Sequence, residues 1–210
     1  MKLSMSKILA GSLIGLATFN ASAALIGFTD RTAWEAAVGG VYLSEDFSST
    51  ASGVYEFSPI DVGDFTVSVA GDTFGSVWHN IGSSGSGGSA FNSVNGSQQL
   101  NLATGATGGT TLEFDFDIYA FGADWAGVSD SRTTSFIIDG FELNIPALTG
   151  GFFGFVSDAA LSTNFLALTA GGADGFGMDN FVYATVPEPS SIALLGLGLL
   201  GFNLARRNKA

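Results

Sequence analysis

Three carboxylates lie at alternate positions in one short stretch, Glu113-Phe114-Asp115-Phe116-Asp117. If this stretch is a strand, Glu113, Asp115 and Asp117 share one face and the phenylalanines share the other. Retaining glycosidases hold a carboxylate nucleophile and a carboxylic acid about 5 to 5.5 Å apart, which residues two apart on a strand roughly provide. Glycoside hydrolysis is therefore the first chemistry that the sequence raises.

The same stretch resembles the Glu-x-Asp-x-Glu strand of laminarinase-type jelly-roll glycoside hydrolases. The resemblance implies Glu113 as the nucleophile and puts Asp117 in the place of the acid/base, where that family has Glu. Because aspartate is one methylene shorter, it usually leaves the proton donor out of reach. We therefore favour a plain strand with a solvated acidic face on a protein that is not an enzyme. A jelly-roll glycoside hydrolase using Glu113 and Asp117 is the alternative.

A serine hydrolase would need His79, the only histidine of the chain, as its general base. No serine lies in a Gly-x-Ser-x-Gly turn, which is typical of one large class of such enzymes. His79 follows Trp78, and we interpret it as a packing or surface residue.

A second group of acidic residues has the composition of a calcium site. Asp174, Asp179 and Asn180 are oxygen donors close in sequence, and calcium takes six to eight such ligands. In jelly rolls the first and last strands commonly lie side by side, which would bring Glu45 and Asp46 next to Asp179. A structural calcium at these five residues is one hypothesis. The other is a turn at Asp174 and a cap or exposed edge at Asp179 and Asn180.

The charge of the chain excludes several classes of partner. The chain of 210 residues carries a formal charge of −12, and five of its seven basic residues lie near its two ends. Between those ends only Arg31 and Arg132 are basic, so binding to nucleic acid or to an anionic membrane by charge is excluded. The absence of cysteine excludes disulfides, thiolate metal sites and a cysteine nucleophile.

The elements that would position these residues are almost all strands. Alternating apolar residues with frequent glycine predict eight to ten short antiparallel strands. Asp139-Gly140 predicts a two-residue hairpin. The fold class is therefore all-β, an antiparallel β-sandwich or jelly roll with a phenylalanine-rich core. The predicted strands are Val41–Phe47, Phe65–Val69, Ser97–Leu102, Thr110–Asp117, Ile118–Ala123, Ser135–Ile138, Glu142–Ile145, Phe152–Val156, Phe165–Ala170 and Met178–Ala184.

Only one segment of the predicted body has helix signals. Thr32-Ala33-Trp34-Glu35 fits a Thr-x-x-Glu capping box, and Gly39-Gly40 can end a helix in a left-handed conformation. We predict one short helix from about Asp30 to Val38, with Trp34 anchoring it to the core.

The first 23 residues have the pattern of a secretory signal peptide. Lys2 and Lys7 precede an apolar run from Ile8 to Phe19, and Ala21-Ser22-Ala23 is a small-x-small cleavage site. We expect cleavage between Ala23 and Ala24, which leaves a body of residues 24–185, enough for one domain without covalent cross-links.

The last segment, residues 186–210, combines three features in order. Pro187-Glu188-Pro189 ends the folded body, because proline fixes φ and removes an amide donor. An uncharged apolar run follows from Ile192 to Ala205, and then come the cations Arg206, Arg207 and Lys209. The positive-inside rule puts this basic end in the cytoplasm and the body on the opposite side of the membrane.

These features resemble the PEP-CTERM sorting signal of exported proteins of Gram-negative bacteria, with Pro187, Glu188 and Pro189 as its motif. The resemblance implies recognition and removal of the tail by exosortase, a polytopic membrane protease-transpeptidase. It also implies a transmembrane helix that holds the chain in the inner membrane before processing, and a cell-surface or extracellular-matrix location afterwards. The apolar run is shorter than the roughly 20 residues that span a bilayer comfortably, which suits a processed segment. An ordinary tail anchor is the alternative.

The stretch Phe121 to Ala184 resembles the body of many PEP-CTERM proteins, which are similar to lectin-like jelly rolls. The resemblance rests on Phe121-Gly122-x-Asp124, on the run from Gly151 to Asp158 and on the run from Asp174 to Phe181. It implies an extracellular domain and, as a possible ligand, polysaccharide. A sugar ring stacked on Trp125 or Trp78 is the mechanism we expect for such binding, although Trp125 fits core packing equally well.

Overall fold

The computed structural model describes residues 24–70, 79–83, 94, 96–104, 109–128, 131, 133–158, 165–170 and 174–185. The predicted signal peptide and the predicted sorting tail lie outside these ranges. In the described part of the chain no helix has the length and apolar character needed to cross a bilayer.

The chain forms two antiparallel sheets. The larger sheet has eight strands in the order β1-β12-β9-β14-β7-β6-β3, with β2 paired to β14, and the smaller has six in the order β11-β10-β13-β8-β5-β4. The strands are β1 (Leu25–Phe28), β2 (Leu43–Glu45), β3 (Gly53–Val54), β4 (Ile60–Asp61), β5 (Phe65–Ala70), β6 (Asn80–Gly82), β7 (Gln99–Thr104), β8 (Gly109–Phe114), β9 (Ile118–Ala126), β10 (Thr134–Ile138), β11 (Phe141–Ile145), β12 (Gly151–Ser157), β13 (Phe165–Ala170) and β14 (Asp174–Thr185).

Aromatic side chains from both sheets form the core between them. Phe121 of the larger sheet meets Phe136 of the smaller edge to face, with ring centroids 5.6 Å apart. Phe65 of the smaller sheet stacks on Phe181 of the larger, with ring centroids 5.7 Å apart. Such pairs stabilise a core beyond the area they bury. The predicted fold class, an antiparallel β-sandwich or jelly roll with one short helix, is confirmed.

Some local predictions are confirmed and others are wrong. Asp139 and Gly140, with φ of 49° and 79°, connect β10 to β11 in a two-residue hairpin. The predicted strand Thr110–Asp117 is too long, since β8 ends at Phe114 and Asp115 lies in a bend. The backbone amide of Asp115 donates to the carbonyl of Asp64 instead of continuing the ladder. Strands β1, β3, β4 and β6 were not predicted, because they are short and carry little alternation.

The helix α1 (Arg31–Val38) covers the outer face of the larger sheet. Its N-cap is Asp30, whose side chain accepts a hydrogen bond from the Ala33 amide at 2.7 Å, so the predicted capping box at Thr32 is wrong. Gly39 ends the helix with φ of 83°, as predicted. Trp34 is fully buried, and its indole N–H donates to the Phe155 carbonyl at 2.9 Å, which confirms it as the anchor.

Two paired glycines let this helix approach the sheet. Gly122 of β9 lies opposite Gly154 of β12, and the Phe152 ring lies against both on the outer face. A Cβ on Gly122 would be 2.4 Å from Phe152 Cζ, and a Cβ on Gly154 would be 2.6 Å from the Phe121 carbonyl oxygen. Phe152 meets Trp34 edge to face at 6.1 Å, so the glycine pair sets the height of the helix above the sheet.

Replacing Gly154 with alanine should destabilise the protein by about 1–3 kcal/mol, because its Cβ would collide with backbone that cannot move without breaking the β9–β12 pairing. The change in free energy of unfolding is measured by urea denaturation. The matched control is Gly150→Ala, where the nearest atom to the new Cβ is 4.0 Å away. Equal stability of the two variants would contradict the packing role of Gly154.

Candidate functional site

The outer face of the larger sheet carries an irregularity in β14. The pairing of β14 with β9 shifts between Asp179 and Val182, and Asn180 has a positive φ of 49°. Phe176 and Met178 before the shift, and Phe181 after it, all join the core, although Met178 and Phe181 are three residues apart. A strand alternates every two residues, so one extra residue is needed to return Phe181 to the core. Asn180 is this bulge residue.

A polar cavity of about 290 Å³ lies beside the bulge, and we call it the bulge pocket. Its walls come from the start of α1, from β2 and the residue after it, and from β14. A volume of this size is near the lower limit for small-molecule sites. The lining residues are Arg31, Ser44, Glu45, Asp46 and Asn180.

Arg31 is held in place by four neighbours. Its Nε donates to Glu35 at 3.2 Å and its Nη1 donates to the Asn180 carbonyl at 3.2 Å. The guanidinium lies 3.7 Å from a carboxylate oxygen of Asp124 and 5.8 Å from the centroid of Phe152. Arg31 therefore links the start of the helix α1 to the backbone of the bulge at the pocket.

Glu45 and Asp46 supply negative charge to the lining of the pocket. Glu45 lies opposite Phe181 in the β2–β14 pairing and accepts a hydrogen bond from the Phe47 amide. Partial burial raises the pKa of Glu45, and nearby Asp46, Asp64 and Asp179 raise it further. Hydrogen bonds from the side chain and backbone amide of Ser48 lower the pKa of Asp46, which keeps that carboxylate ionised.

Asp179 is buried behind the pocket, next to the bulge. Its carboxylate accepts hydrogen bonds from the Ser97 hydroxyl and from the Asn180 amide, the latter at 2.7 Å. It lies directly opposite Asp124 in the β9–β14 pairing, and like charges so placed are destabilising. Burial raises the pKa of Asp179, and its two hydrogen bonds oppose that rise only in part.

Four of the five residues in the calcium hypothesis lie together and one does not. Glu45, Asp46 and Asn180 line the pocket, and Asp179 lies beside Asn180. Asp174 is five residues from Asp179 along β14, roughly 16 Å away at the usual strand rise, and its carboxylate accepts from Thr134. Among the described residues no three acidic or histidine side chains are placed to hold a metal. The five-residue site is therefore not assembled as predicted.

The other predicted residues lie elsewhere. Glu113 and Asp117 are both exposed, and they do not share a strand face because β8 ends between them. His79 is buried, and its Nδ1 lies 2.7 Å from the Glu56 carbonyl, so it packs as predicted, and burial lowers its pKa. Trp125 is fully buried in the core, which makes the prediction of a sugar platform there wrong. Trp78 lies outside the described residues.

Sequence reasoning missed Arg31, Asp124 and Ser44 as members of this region. Arg31 was one of only two cations in a strongly acidic body, which is a signal that a carboxylate partner such as Asp124 could be expected. The bulge also had a signal, because the apolar residues change phase between Met178 and Phe181.

The family comparison bears on the tail rather than on the pocket. A model described as the PEP-CTERM protein-sorting motif matches residues 185–208. The chain carries a PEP-CTERM sorting motif. The motif indicates an exported protein that is sorted to the cell envelope or surface. It includes Pro187, Glu188 and Pro189, as predicted.

Among curated proteins no sequence matches this chain. Solved structures give distant matches. One is a Clostridium thermocellum endo-1,4-beta-D-xylanase 10B with CBM22-1 and GH10 modules, complexed with xylohexaose, at 13% identity and a TM-score of 0.36, covering 66% of this chain and 28% of that one. Another is TmCBM61 in complex with beta-1,4-galactotriose, at 15% identity and a TM-score of 0.36. The match covers 67% of this chain and 94% of that one. A third is the enzymatically active domain of bacteriophage CBA120 tailspike protein 4, at 14% identity and a TM-score of 0.32. The match covers 67% of this chain and 21% of that one.

Replacing Asp179 with asparagine should stabilise the protein at neutral pH by about 0.5–2 kcal/mol, the usual range for removal of a local defect. The folded pKa of Asp179 is raised, so the folded state binds the proton more tightly than the unfolded state. The stability contributed by this group is present at low pH and is lost as pH rises through the folded pKa. The advantage of the variant should therefore shrink on acidification, measured by thermal unfolding across pH.

The matched control is Asp117→Asn, which removes one exposed carboxylate and so the same net charge. It should change stability by less than about 0.5 kcal/mol, as surface substitutions usually do. Destabilisation by Asp179→Asn at neutral pH would mean that the hydrogen bonds from Ser97 and Asn180 outweigh the desolvation of the charge.

Proposed function

We propose that the protein is an exported, non-catalytic β-sandwich that is sorted through Pro187, Glu188 and Pro189 by exosortase and binds polysaccharide at the bulge pocket. The observation that carries the export and sorting part is the motif at residues 185–208. The proposed route runs through the inner membrane of a Gram-negative cell, where the tail is held before processing. The end point is the cell surface or the extracellular matrix.

The pocket supports saccharide binding through the type of side chain it offers. A carboxylate, an amide and a hydroxyl line one small concave surface, and these groups hydrogen-bond readily to sugar hydroxyls. The Arg31 wall is fixed by neighbours before any ligand arrives, so less side-chain freedom is lost on binding. No aromatic residue is among the described residues that line the pocket, and hydrogen bonding therefore replaces the ring stacking expected from the sequence.

The positions of Glu113 and Asp117 support a non-catalytic body. A retaining glycosidase needs its two carboxyl groups fixed on either side of the scissile bond. Glu113 lies on β8 between Thr66 and Phe165 of the neighbouring strands, whereas Asp117 lies after the bend that ends β8. Both side chains are exposed to water.

Intact mass of the protein recovered from its host tests sorting. We expect a species that lacks residues 1–23 and also lacks the chain beyond the Pro-Glu-Pro region, in the cell-surface or medium fraction. Substituting Pro187 and Pro189 with alanine should retain the basic tail and keep the protein in the membrane fraction. A wild-type protein that keeps Arg206 to Ala210 and is found only in membranes would show that the tail is an anchor.

Assay of reducing ends tests the absence of catalysis. The purified protein, incubated with a panel of β-glucans and other bacterial polysaccharides, should release no more reducing ends than buffer alone. Glu113→Gln serves as the comparison, since it removes the residue that would act as nucleophile. Release by the wild type that is lost in this variant would establish the glycoside hydrolase and overturn the non-catalytic proposal.

A further inference from the structure

Two side chains that line the bulge pocket, Glu45 and Asn180, keep acceptor oxygens that the described hydrogen bonds do not use. One oxygen of Glu45 accepts from the Phe47 amide and one oxygen of Asp46 accepts from the Ser48 amide. The side-chain Nδ2 of Asn180 donates a hydrogen bond to the Asp124 carboxylate at 2.9 Å. From the residues that the structure describes, the second oxygen of Glu45 and the side-chain oxygen of Asn180 receive no hydrogen bond.

The one cation among the described residues that line the pocket, Arg31, is already paired with carboxylates. Arg31 directs its Nε to Glu35 and its Nη1 to the Asn180 carbonyl, and Asp124 lies 3.7 Å from the guanidinium. Glu45, Asp46 and Asp179 are therefore negative charges without a matching cation in the described part of the chain. A ligand that brings donors and positive charge would complete the pocket, whereas an acidic sugar would add another negative charge to it.

The number of acceptors favours an ammonium group over a metal ion. A primary ammonium has three donors, and three of the residues that line the pocket, Glu45, Asp46 and Asn180, carry side-chain acceptor oxygens. Calcium takes six to eight oxygen ligands, and no three acidic or histidine side chains among the described residues are grouped for a metal.

We propose that the bulge pocket binds a sugar with a free ammonium group, so that the polysaccharide is an amino-sugar polymer with unacetylated amines. The inference rests on the proposed function, because it specifies the ligand of the same pocket. Ser44 and the remaining N–H groups of Arg31 are left for the hydroxyls of the same sugar ring.

Calorimetric titration of the purified protein with three tetrasaccharides tests this proposal. The probes are a glucosamine tetramer, an N-acetylglucosamine tetramer and a galacturonate tetramer, at a pH where the amine is protonated and carboxylates are ionised. We expect the glucosamine tetramer to bind at least tenfold more tightly than the other two. Raising the salt concentration should weaken its binding, because part of the pocket is exposed.

Substitutions of residues that line the pocket test whether the sugar binds there. Glu45→Gln should weaken the glucosamine tetramer about tenfold, which corresponds to ~1.4 kcal/mol. The side-chain oxygen of the new glutamine can still accept the hydrogen bond from the Phe47 backbone amide, so the variant should fold. If Glu45→Gln does not fold, Asp46→Asn replaces it in the same test. Glu142→Gln is the control, since it removes the same charge at an exposed position on β11 of the smaller sheet.

Each other outcome overturns a different statement. Equal binding of the glucosamine and N-acetylglucosamine tetramers, weakened by Glu45→Gln, would reject the ammonium and keep the polysaccharide function. An equal loss in Glu142→Gln would mean that the whole acidic surface attracts the amine, and the pocket assignment would fail. A melting temperature raised by calcium in the wild type but not in Glu45→Gln would make the pocket a metal site. If none of these probes and no other polysaccharide bound, the proposed function itself would fail.

Discussion

The phase of the apolar residues in β14 is the constraint on which the site depends. β14 pairs with β9 on one edge and with both β7 and β2 on the other, so it cannot shift as a whole without breaking three pairings. The core needs Met178 and Phe181 on the same face although three residues separate them. One residue must be left over, and it takes the left-handed conformation that asparagine tolerates better than most. The bulge carries polar groups because the core has no place for them.

Charge around the bulge is arranged at a cost in stability. Asp124 and Asp179 face each other across two strands, and Glu45 and Asp46 lie near them with only Arg31 as a described cation. A fold selected for stability alone would replace a buried carboxylate such as Asp179 by an amide or an apolar residue. Groups whose pKa is raised by burial and by like charge are enriched at functional sites, though structural networks shift pKa values as well. The bulge pocket has this character, whereas the acidic stretch at Glu113 lies open to water.

The parts of the fold that follow from local pattern could be predicted from the sequence. The Asp139-Gly140 hairpin and the end of α1 at Gly39 need left-handed backbone at particular residues, and the sequence supplies residues that adopt it. The N-cap was placed at Thr32 because Thr32 and Glu35 fit the capping-box pattern, whereas Asp30 caps the helix through the Ala33 amide with no Glu or Gln at that third position. The predicted proximity of Glu45 and Asp179 is confirmed because β2 pairs with β14, although the first strand, β1, pairs with β12 instead of with the last strand. Arg31 and Asp124 could not be assigned, since their meeting depends on where the helix docks on the sheet.

The docking of that helix is decided by apolar contacts away from the pocket. Trp34 donates to the Phe155 carbonyl, and Phe152 lies in the space left by Gly122 and Gly154. Arg31 precedes Trp34 by less than one turn, so the height of the helix above the sheet determines whether its guanidinium reaches Asp124 and the Asn180 carbonyl. A larger residue at either glycine would therefore move the cation while leaving Glu45 and Asp46 in place on β2 and the residue after it. The acidic wall of the pocket belongs to the sheet and the basic wall belongs to the helix, and the glycine pair fixes the distance between the two.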